Sequence, residues 1–145
     1  MAIVRHSSVL PISADLGFHV AQKVELFDFV VAPFLKIRDV EMPDGIAPGS
    51  ELSGRLWWFG LIPSWRHHIS IISIDDRRIS TNEHGGPVRM WNHQLTFEPI
   101  DGHTCRYTDE IELGDSLHDA GTRLFARLMF AHRHRRWATL AAILE

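Results

Sequence analysis

The stretch RMWNHQLTFEPIDGHTCRYTDEIEL, residues 89 to 113, predicts the fold more clearly than any other part of the sequence. Two segments in it alternate between apolar and polar side chains, and the turn-forming pair Asp101-Gly102 separates them. A period of two is typical of strands with one buried face, so we predict strands Met90–Glu98 and Thr104–Leu113, joined as a hairpin. The inward face of the first strand carries Trp91, His93, Leu95 and Phe97.

The length of the hairpin loop decides which side chains share that inward face. A three-residue loop at 100–102 pairs His93 with Asp109 and leaves Tyr107 on the same side. A two-residue loop would turn charged side chains such as Arg106 toward the apolar face, where burying charge is costly. We therefore predict the longer loop, with a carboxylate beside the inward-facing histidine.

Alternation of the same kind continues on the N-terminal side of this hairpin. It predicts five further strands, at 3–10, 35–41, 51–59, 64–74 and 78–83. Turn residues such as Pro43-Asp44-Gly45 and Gly85-Gly86-Pro87 separate these strands. Consecutive strands with short connections indicate an antiparallel meander.

Helical spacing marks two other regions. Ser13 offers an N-cap ahead of Leu16, and apolar residues then recur every three or four positions up to Val31. We interpret this region as two short helices that meet near residues 19–22. The C-terminal segment 116–144 contains no proline and keeps mostly helical intervals, so it predicts one long helix.

Together these elements predict an α+β fold of the helix-grip type. A curved antiparallel sheet of about seven strands would wrap around the long C-terminal helix, with two short helices after the first strand. With 145 residues and 45% apolar content, the chain has the size of a single domain spanning residues 1–145. Covering a concave apolar sheet with one helix leaves a hollow between them, and we expect such a hollow here.

The overall charge is close to balanced, with 15 Lys and Arg against 18 Asp and Glu and a net charge of −3. We therefore expect no nucleic acid as a partner. The single cysteine, Cys105, excludes an internal disulfide and suits a reducing compartment; we interpret it as a small core residue. No segment approaches the roughly 20 apolar residues of a membrane span, so we expect a cytoplasmic protein without an integral membrane segment.

The predicted pair of His93 and Asp109 has two interpretations. In the first, it is a polar pair at the edge of the core that holds two strands in place. In the second, Asp109 orients the imidazole and raises its pKa, so that His93 exchanges protons with a ligand or binds it. His93, Asp109 and Tyr107 are therefore the candidate catalytic residues, and the pattern leaves both interpretations open.

Further inward-facing side chains would form the walls of the hollow. His67 is a second polar candidate, because its predicted strand places it on the same face as Trp65. The candidate ligand-binding residues are Leu56, Trp58, His67, Ile69, Trp91, Leu95, Phe97, Leu124 and Leu128.

Ten histidines suggest a metal site, but their spacing opposes one. The adjacent pair 67–68 points to opposite faces of a strand, and the pair 132 and 134 lies roughly 200° apart around a helix. We predict no metal and no cofactor. We interpret the basic run 132–136 as a solvated helix face and residues 83–87 as a solvated turn.

Two apolar features are predicted outside the hollow. Trp57 and Phe59 would lie on the convex face of the sheet, either as scattered surface aromatics or as the interface of a homodimer. The apolar tip at 60–63 could be a lid over the hollow, a tip that touches a membrane, or a loop folded onto the body. We favour the lid, because a buried ligand needs an opening.

Four stretches resemble the SRPBCC superfamily: VAPFLKI at 31–37, SGRLWWFGL at 53–61, the run RRISTNEHGGPVRMWNHQLTFEPIDGHTCRYTDEIEL at 77–113, and MFAHRH at 129–134. This superfamily unites START lipid-transfer domains, the birch pollen allergen (Bet v 1-like) and polyketide cyclase/dehydratase-like proteins. The resemblance covers almost the whole chain. It implies a helix-grip fold with a deep hydrophobic ligand cavity, and it carries over no catalytic residue.

These observations lead to three hypotheses about function. The first is a binding protein that shelters a small apolar molecule such as a lipid, a polyketide or an aromatic compound, with His93 and Asp109 as polar anchors. The second is a cofactor-free polyketide cyclase or dehydratase, in which His93 moves the proton and Tyr107 hydrogen-bonds the developing enolate. The third is a protein-interaction domain whose cavity is filled by its own side chains. We prefer binding.

Overall fold

The structure, a computed structural model, describes residues 1–43 and 45–144. Asp44, in the predicted turn at 43–45, lies outside the described residues. The elements in chain order are β1 (Ala2–Leu10), α1 (Ala14–Ala21), α2 (Val24–Val31), β2 (Leu35–Glu41), β3 (Glu51–Trp58), β4 (Ile62–Asp75), β5 (Arg78–Gly85), β6 (Val88–Pro99), β7 (Cys105–Leu113) and α3 (Ala120–Leu144). A short 3₁₀ turn, Leu117–Asp119, precedes α3, so the predicted C-terminal helix begins a few residues later than expected.

The strands form one antiparallel sheet in the order β1-β7-β6-β5-β4-β3-β2. The meander predicted from residue 35 onward is confirmed, and β1 closes the far edge against β7. Register shifts interrupt four of the six strand pairings. Such irregularities bend and twist strands, which curves the sheet. With α3 and the two short helices packed on it, the predicted helix-grip fold is confirmed.

The hairpin that joins β6 to β7 differs from its predicted register by two residues. His93 pairs with Ile111, and Asp109 pairs with Leu95. The loop is longer than expected because the Asp101 side chain accepts hydrogen bonds from two backbone amides, of His103 at 2.7 Å and Thr104 at 2.8 Å. A shift by two keeps every side chain on its predicted face, so Asp109 becomes a diagonal neighbour of His93.

The two short helices and the body of the protein meet at a glycine. Ser13 caps α1 as predicted, and its side chain accepts a hydrogen bond from the amide of Leu16 at 3.2 Å. A Cβ atom on Gly17 would lie 2.8 Å from the ring of Phe97, so only glycine lets α1 pack this closely on β6. Within the described residues, no helix is long and apolar enough to cross a bilayer.

Candidate functional site

A cavity of about 200 Å³ lies between the concave face of the sheet and the helices α2 and α3. The helix α3 presents every fourth residue to it, because side chains at i and i+4 lie on one face of a helix. Those wall residues are Phe125, Met129, Arg133 and Trp137. The sheet contributes mainly apolar side chains such as Leu56, Ile71 and Trp91. Lys23, at the junction of α1 and α2, also borders the cavity and is exposed.

Polar side chains gather in one part of this apolar wall. They come from three adjacent strands and from α3, and they are His67, Thr81, Glu83, His93 and Arg133. The strands β4, β5 and β6 are neighbours in the sheet, so side chains on their concave face stand side by side. The cavity therefore has a cluster of polar side chains, the polar region, on its sheet and α3 side, apart from Gln22, Lys23 and Ser53, which also line it, and most of the remaining wall is hydrophobic.

His93 is held between two carboxylates. Its Nε2–H group donates to Oδ1 of Asp109 at 2.6 Å, and its Nδ1 lies 3.6 Å from Oε2 of Glu83. The ring of Phe130 stacks on the imidazole with 5.5 Å between centroids. His93 reaches the cavity, whereas Asp109 lies behind the wall with 0% of its surface exposed. Both imidazole nitrogens therefore face protein carboxylates.

Asp109 is the centre of the buried hydrogen-bond network. Its Oδ2 atom accepts from the Tyr107 hydroxyl at 2.6 Å, from Nε2 of His134 at 3.1 Å and from Nε of Arg133 at 3.4 Å. The Arg133 Nη2 group donates in turn to the Tyr107 hydroxyl oxygen at 3.2 Å. On the side away from the cavity, the Ser8 hydroxyl lies 2.6 Å from Nδ1 of His134. These contacts tie β1, β7, β6 and α3 together.

Glu83 organises the second half of the polar region. The indole N–H of Trp65 donates to Nδ1 of His67 at 3.2 Å. Because an indole can only donate, this Nδ1 carries no proton, and the Nε2–H of His67 donates to Oε1 of Glu83 at 2.9 Å. The Thr81 hydroxyl donates to the other oxygen of Glu83 at 2.7 Å. Both ring nitrogens of His67 are thus held by hydrogen bonds within the polar region.

The pKa values in this region are shifted because ionisable side chains of opposite charge lie next to one another. Burial alone would raise the pKa of Glu83, but hydrogen bonds from His67 and His93 lower it. Burial also opposes ionisation of Asp109, yet the charge of Arg133 and the bonds from His134 and His93 hold its pKa well below the usual value. The pKa of His93 is raised: burial lowers it, but Asp109 outweighs burial.

One cavity-lining residue, Trp137, has a polar atom without a hydrogen-bond partner among the described residues. The Trp137 side chain lines the cavity and is 0% exposed, and its indole nitrogen is buried without a hydrogen-bond partner among the described residues. The same is true of the Trp57 indole nitrogen, but Trp57 does not line the cavity.

Five of the nine predicted ligand-binding residues line the cavity: Leu56, His67, Ile69, Trp91 and Leu95. Trp58 and Phe97 do not; Trp58 packs against Trp65, and Phe97 stacks on Tyr107 in the core.

The structure places Leu124 and Leu128 outside the cavity wall. Leu124 is 57% exposed and Leu128 is 64% exposed, because the inward stripe of α3 runs one residue later, through Phe125 and Met129. Of the candidate catalytic residues, only His93 borders the cavity. Tyr107 and Asp109 are fully buried behind it, and burial raises the pKa of Tyr107 well above its ordinary value.

Three residues of the polar region, Thr81, Glu83 and Arg133, are not among the predicted site residues. Glu83 was assigned to a solvated turn, but its side chain is 9% exposed, since β5 extends to Gly85. The basic run at 132–136 was assigned to a solvated helix face, yet Arg133 is 8% exposed and His134 is 4% exposed. Arg133 stands four residues after Met129 and four before Trp137, and that spacing was the available signal.

The apolar tip at 60–63 projects into solvent. Leu61 is 79% exposed and Ile62 is 59% exposed, so the tip is not folded onto the body. None of the described residues that line the cavity comes from this tip. No group of three or more potential metal ligands occurs among the described residues.

Comparison with solved structures supports the fold. A START superfamily protein from Mycobacterium smegmatis aligns with a TM-score of 0.76 and 11% identity over 99% of both chains. A protein from Chromobacterium violaceum gives 0.76 and 12% over 97% of both chains. Norcoclaurine synthase from Thalictrum flavum, in complex with dopamine and hydroxybenzaldehyde, gives 0.71 and 13% over 99% of this chain and 88% of the enzyme.

At these identities the likeness establishes the START-type fold that the sequence resemblance implied, and not a shared activity. None of the curated proteins matches the chain in sequence. One family model does match, over residues 31–140, and its description is "Domain of unknown function (DUF8410)". The match spans every strand from β2 onward and most of α3. The chain therefore belongs to the DUF8410 family and has a START-type helix-grip fold.

Proposed function

We propose that this protein binds a small, mostly apolar molecule in the cavity between the sheet and α3. The observation that carries the proposal is a mostly apolar chamber with a few clustered polar side chains, which is the usual composition of a small-molecule site. The polar side chains there are already hydrogen-bonded to one another, so the site is formed before a ligand arrives. A preformed site avoids the entropic cost of ordering on binding.

The size of the chamber favours a ring-sized ligand over a long lipid. The cavity measures about 200 Å³. A cavity of about 150 Å³ accepts benzene, while sites for drug-sized ligands span roughly 300–1,000 Å³. Of the lipid, polyketide and aromatic classes, a single-ring aromatic compound therefore fits best. The structurally similar norcoclaurine synthase was crystallised with two small aromatic compounds, dopamine and hydroxybenzaldehyde, which agrees with this choice.

A pair of substitutions on α3 tests the proposal. Met129 lines the cavity, and Met129→Trp should fill it. Leu128 is the adjacent residue but is 64% exposed, so Leu128→Trp adds the same ring outside the cavity. We expect the wild type and Leu128→Trp to bind α-methylstyrene in a calorimetric titration, and Met129→Trp to lose binding while keeping its circular dichroism spectrum. Equal binding by all three proteins would place the compound elsewhere.

Catalysis is the second candidate, and one observation speaks for it: His93 reaches the cavity with Asp109 behind it. The geometry nevertheless favours binding. Both nitrogens of His93 face carboxylates, so its proton is not aimed at a ligand. The Tyr107 hydroxyl donates to Asp109 and stands behind the wall, away from any enolate in the cavity. A cyclase mechanism predicts that His93→Gln abolishes turnover of a small polyketide; unchanged turnover would exclude His93 as its acid or base.

The third hypothesis, an interaction domain with a filled cavity, fits less well. About 200 Å³ of unfilled space lies between the sheet and α3. A void of this size without an occupant weakens packing, so its retention favours a role in binding.

A further inference from the structure

We propose that this protein binds anionic lipid membranes through an exposed apolar surface at the tip that joins β3 to β4. We call it the docking surface. Its six side chains are each between 42% and 79% exposed, and none of the six lines the cavity: Phe34, Phe59, Leu61, Ile62, Leu124 and Leu128. The proposal therefore goes beyond the proposed function and does not depend on what the cavity holds.

Direct contacts join the two parts of the docking surface. The ring of Phe59 lies against the ring of Phe34, with 6.1 Å between centroids. The ring of Phe34 in turn lies 4.7 Å from that of His132 on α3. Leu124, Leu128 and His132 are spaced by four residues, so they lie on one face of that helix. The tip and the two leucines thus form one continuous surface on the same side of the molecule.

The tip has features that folding alone does not favour. Phe59 has a φ of 54°, in the left-handed region that bulky residues rarely adopt. Its side chain gains little burial in return, because it is 59% exposed. Leu61 is 79% exposed, and the tip neither packs on the body nor lines the cavity. A strained backbone and exposed apolar side chains at one place indicate a role in binding.

Two positively charged side chains lie at the base of the tip. Lys36 packs beside Gly60, where an added Cβ atom would lie 3.8 Å from Cδ of the lysine. Arg38 Nη2 donates to the Gly60 carbonyl oxygen at 3.2 Å. Both side chains are exposed, and within the described residues neither forms an ion pair with a carboxylate. An apolar tip with cations at its base matches a bilayer, which offers hydrocarbon beneath a layer of anionic head groups.

The same charges argue against a second copy of the chain as the occupant. In a two-fold dimer, the same surface of each copy faces the other. The docking surface would then bring Lys36 and Arg38 close to their own counterparts. Such like-charge contacts are unfavourable, whereas phosphatidylserine head groups would neutralise both cations. Charge complementarity therefore favours the membrane.

Co-sedimentation with vesicles tests the proposal. We would measure binding of the full chain to mixed vesicles of phosphatidylcholine and phosphatidylserine at about 7:3, and to vesicles of phosphatidylcholine alone. We expect the wild type to bind the mixed vesicles more tightly, and this preference to shrink at high salt. Leu61→Ser should weaken binding by about tenfold, because the leucine no longer enters the hydrocarbon. Ile72→Ser removes an apolar side chain at a 53% exposed site on β4, outside the docking surface, and should bind like the wild type.

A second matched pair of variants tests the role of the cations. Lys36→Gln should weaken binding to the mixed vesicles by about fivefold, the usual contribution of one cation near an anionic bilayer. It should leave binding to phosphatidylcholine alone unchanged. Arg106→Gln removes an exposed cation on β7, outside the docking surface, and should change neither affinity.

A fluorescent label reports insertion of the tip directly. The single cysteine, Cys105, is 0% exposed, so a thiol-reactive nitrobenzoxadiazole dye attaches only to a cysteine introduced on the surface. Labelled Leu61→Cys should gain emission on the mixed vesicles, because the dye leaves water. Labelled Ile72→Cys should not.

Three results would overturn the proposal: no binding of the wild type to the mixed vesicles, equal binding by Leu61→Ser and the wild type, or equal emission from the two labelled variants. Sedimentation equilibrium addresses the competing occupant. A wild-type mass of two copies that falls to one copy in Leu61→Ser would assign the docking surface to a dimer and overturn the proposal as well. The calorimetric titration with α-methylstyrene tests the cavity separately, so failure of one proposal is distinguishable from failure of the other.

Discussion

At the scale of single residues, Asp109 holds the polar region together. One carboxylate oxygen accepts from His93, and the other accepts from Tyr107, His134 and Arg133. A carboxylate with this many donors is strongly favoured as an anion. It also forms the buried ion pair with Arg133, so its loss should affect the whole hydrogen-bond network.

Replacing Asp109 should therefore destabilise the protein severely. Asp109→Asn leaves the buried Arg133 guanidinium without its ion-pair partner, which costs about 3–5 kcal/mol in comparable cases. Asp15→Asn provides the control, because its ion pair with Arg77 is on the surface, with Asp15 82% exposed. That change should cost less than about 1 kcal/mol. Urea unfolding measures the loss of free energy of unfolding in both variants. Similar losses would mean that Asp109 does not stabilise the polar region as we describe.

The same residues predict how stability depends on pH. Glu83 and Asp109 have lowered folded-state pKa values, so their contribution is present above the ordinary values of 4.5 and 3.8 and is lost as the pH falls below them. His93 has a raised pKa, so its contribution is complete below 6.5 and is lost as the pH rises through the folded-state value. Stability should be highest between these limits.

The variant His93→Gln isolates the alkaline side of this profile. The decline in the free energy of unfolding above pH 6.5 should be smaller in the variant than in the wild type. Other groups such as His6, whose pKa is lowered chiefly by burial, titrate in both proteins and cancel in the difference. Urea unfolding at a series of pH values gives the two curves; parallel curves above pH 6.5 would show that His93 is not stabilised as a cation.

At the scale of secondary-structure elements, α3 contributes both apolar and polar side chains to the cavity wall. Its inward stripe combines Phe125 and Met129 with Arg133 and Trp137. Arginine is rarely buried, so the sequence pattern favoured the leucines as the inward residues, and they proved to be exposed. Only the tertiary partner Asp109, which lies 24 positions away in sequence, explains why Arg133 is inside.

The hairpin of β6 and β7 shows the opposite case. Alternation predicted which side chains face inward, and all of them do, because a strand has only two faces. Pairing register depends on loop hydrogen bonds, which the alternation does not encode. The Asp101 side chain lengthens the loop, and the partners shift by two. The contact between His93 and Asp109 survived because side chains that are diagonal across strands still reach each other.

The packing of α1 on the sheet gives a prediction at this scale. Gly17→Ala raises helix propensity but places a Cβ 2.8 Å from the buried ring of Phe97, so we expect a net destabilisation of about 1–3 kcal/mol. Gly121→Ala in α3 meets nothing within 4 Å and should stabilise the protein by about 0.5–1 kcal/mol. Thermal unfolding distinguishes the two; a gain in both variants would mean that α1 does not press on β6.

At the scale of the whole molecule, the helix-grip arrangement creates the chamber. The meander from β2 to β7 and the two helical regions could be predicted, because hydrophobic period, caps and turn residues are local signals, whereas the pairing of β1 with β7 could not. The polar region could be predicted only in part. His93 and Asp109 lie on adjacent strands, whereas Glu83 and Arg133 join them through contacts that no local pattern records.

The homodimer remains a prediction. Phe59 is 59% exposed and contacts Phe34, which is 42% exposed, so an apolar surface is present beside the tip. Trp57 is only half-buried, and the Arg38 guanidinium covers its ring at 4.8 Å. If this surface joins two copies, Phe59→Glu should halve the mass found by sedimentation equilibrium. Ile72→Glu, at a 53% exposed site on β4, should leave that mass unchanged. A monomeric wild type at high concentration would end the hypothesis.

The most direct test of the proposed binding function is a crystal structure of the protein grown with α-methylstyrene. We expect electron density for the compound between α3 and the sheet, bordered by Leu56, Trp91 and Met129. A chamber closed by the protein's own side chains, with the compound absent from it, would contradict the proposed function.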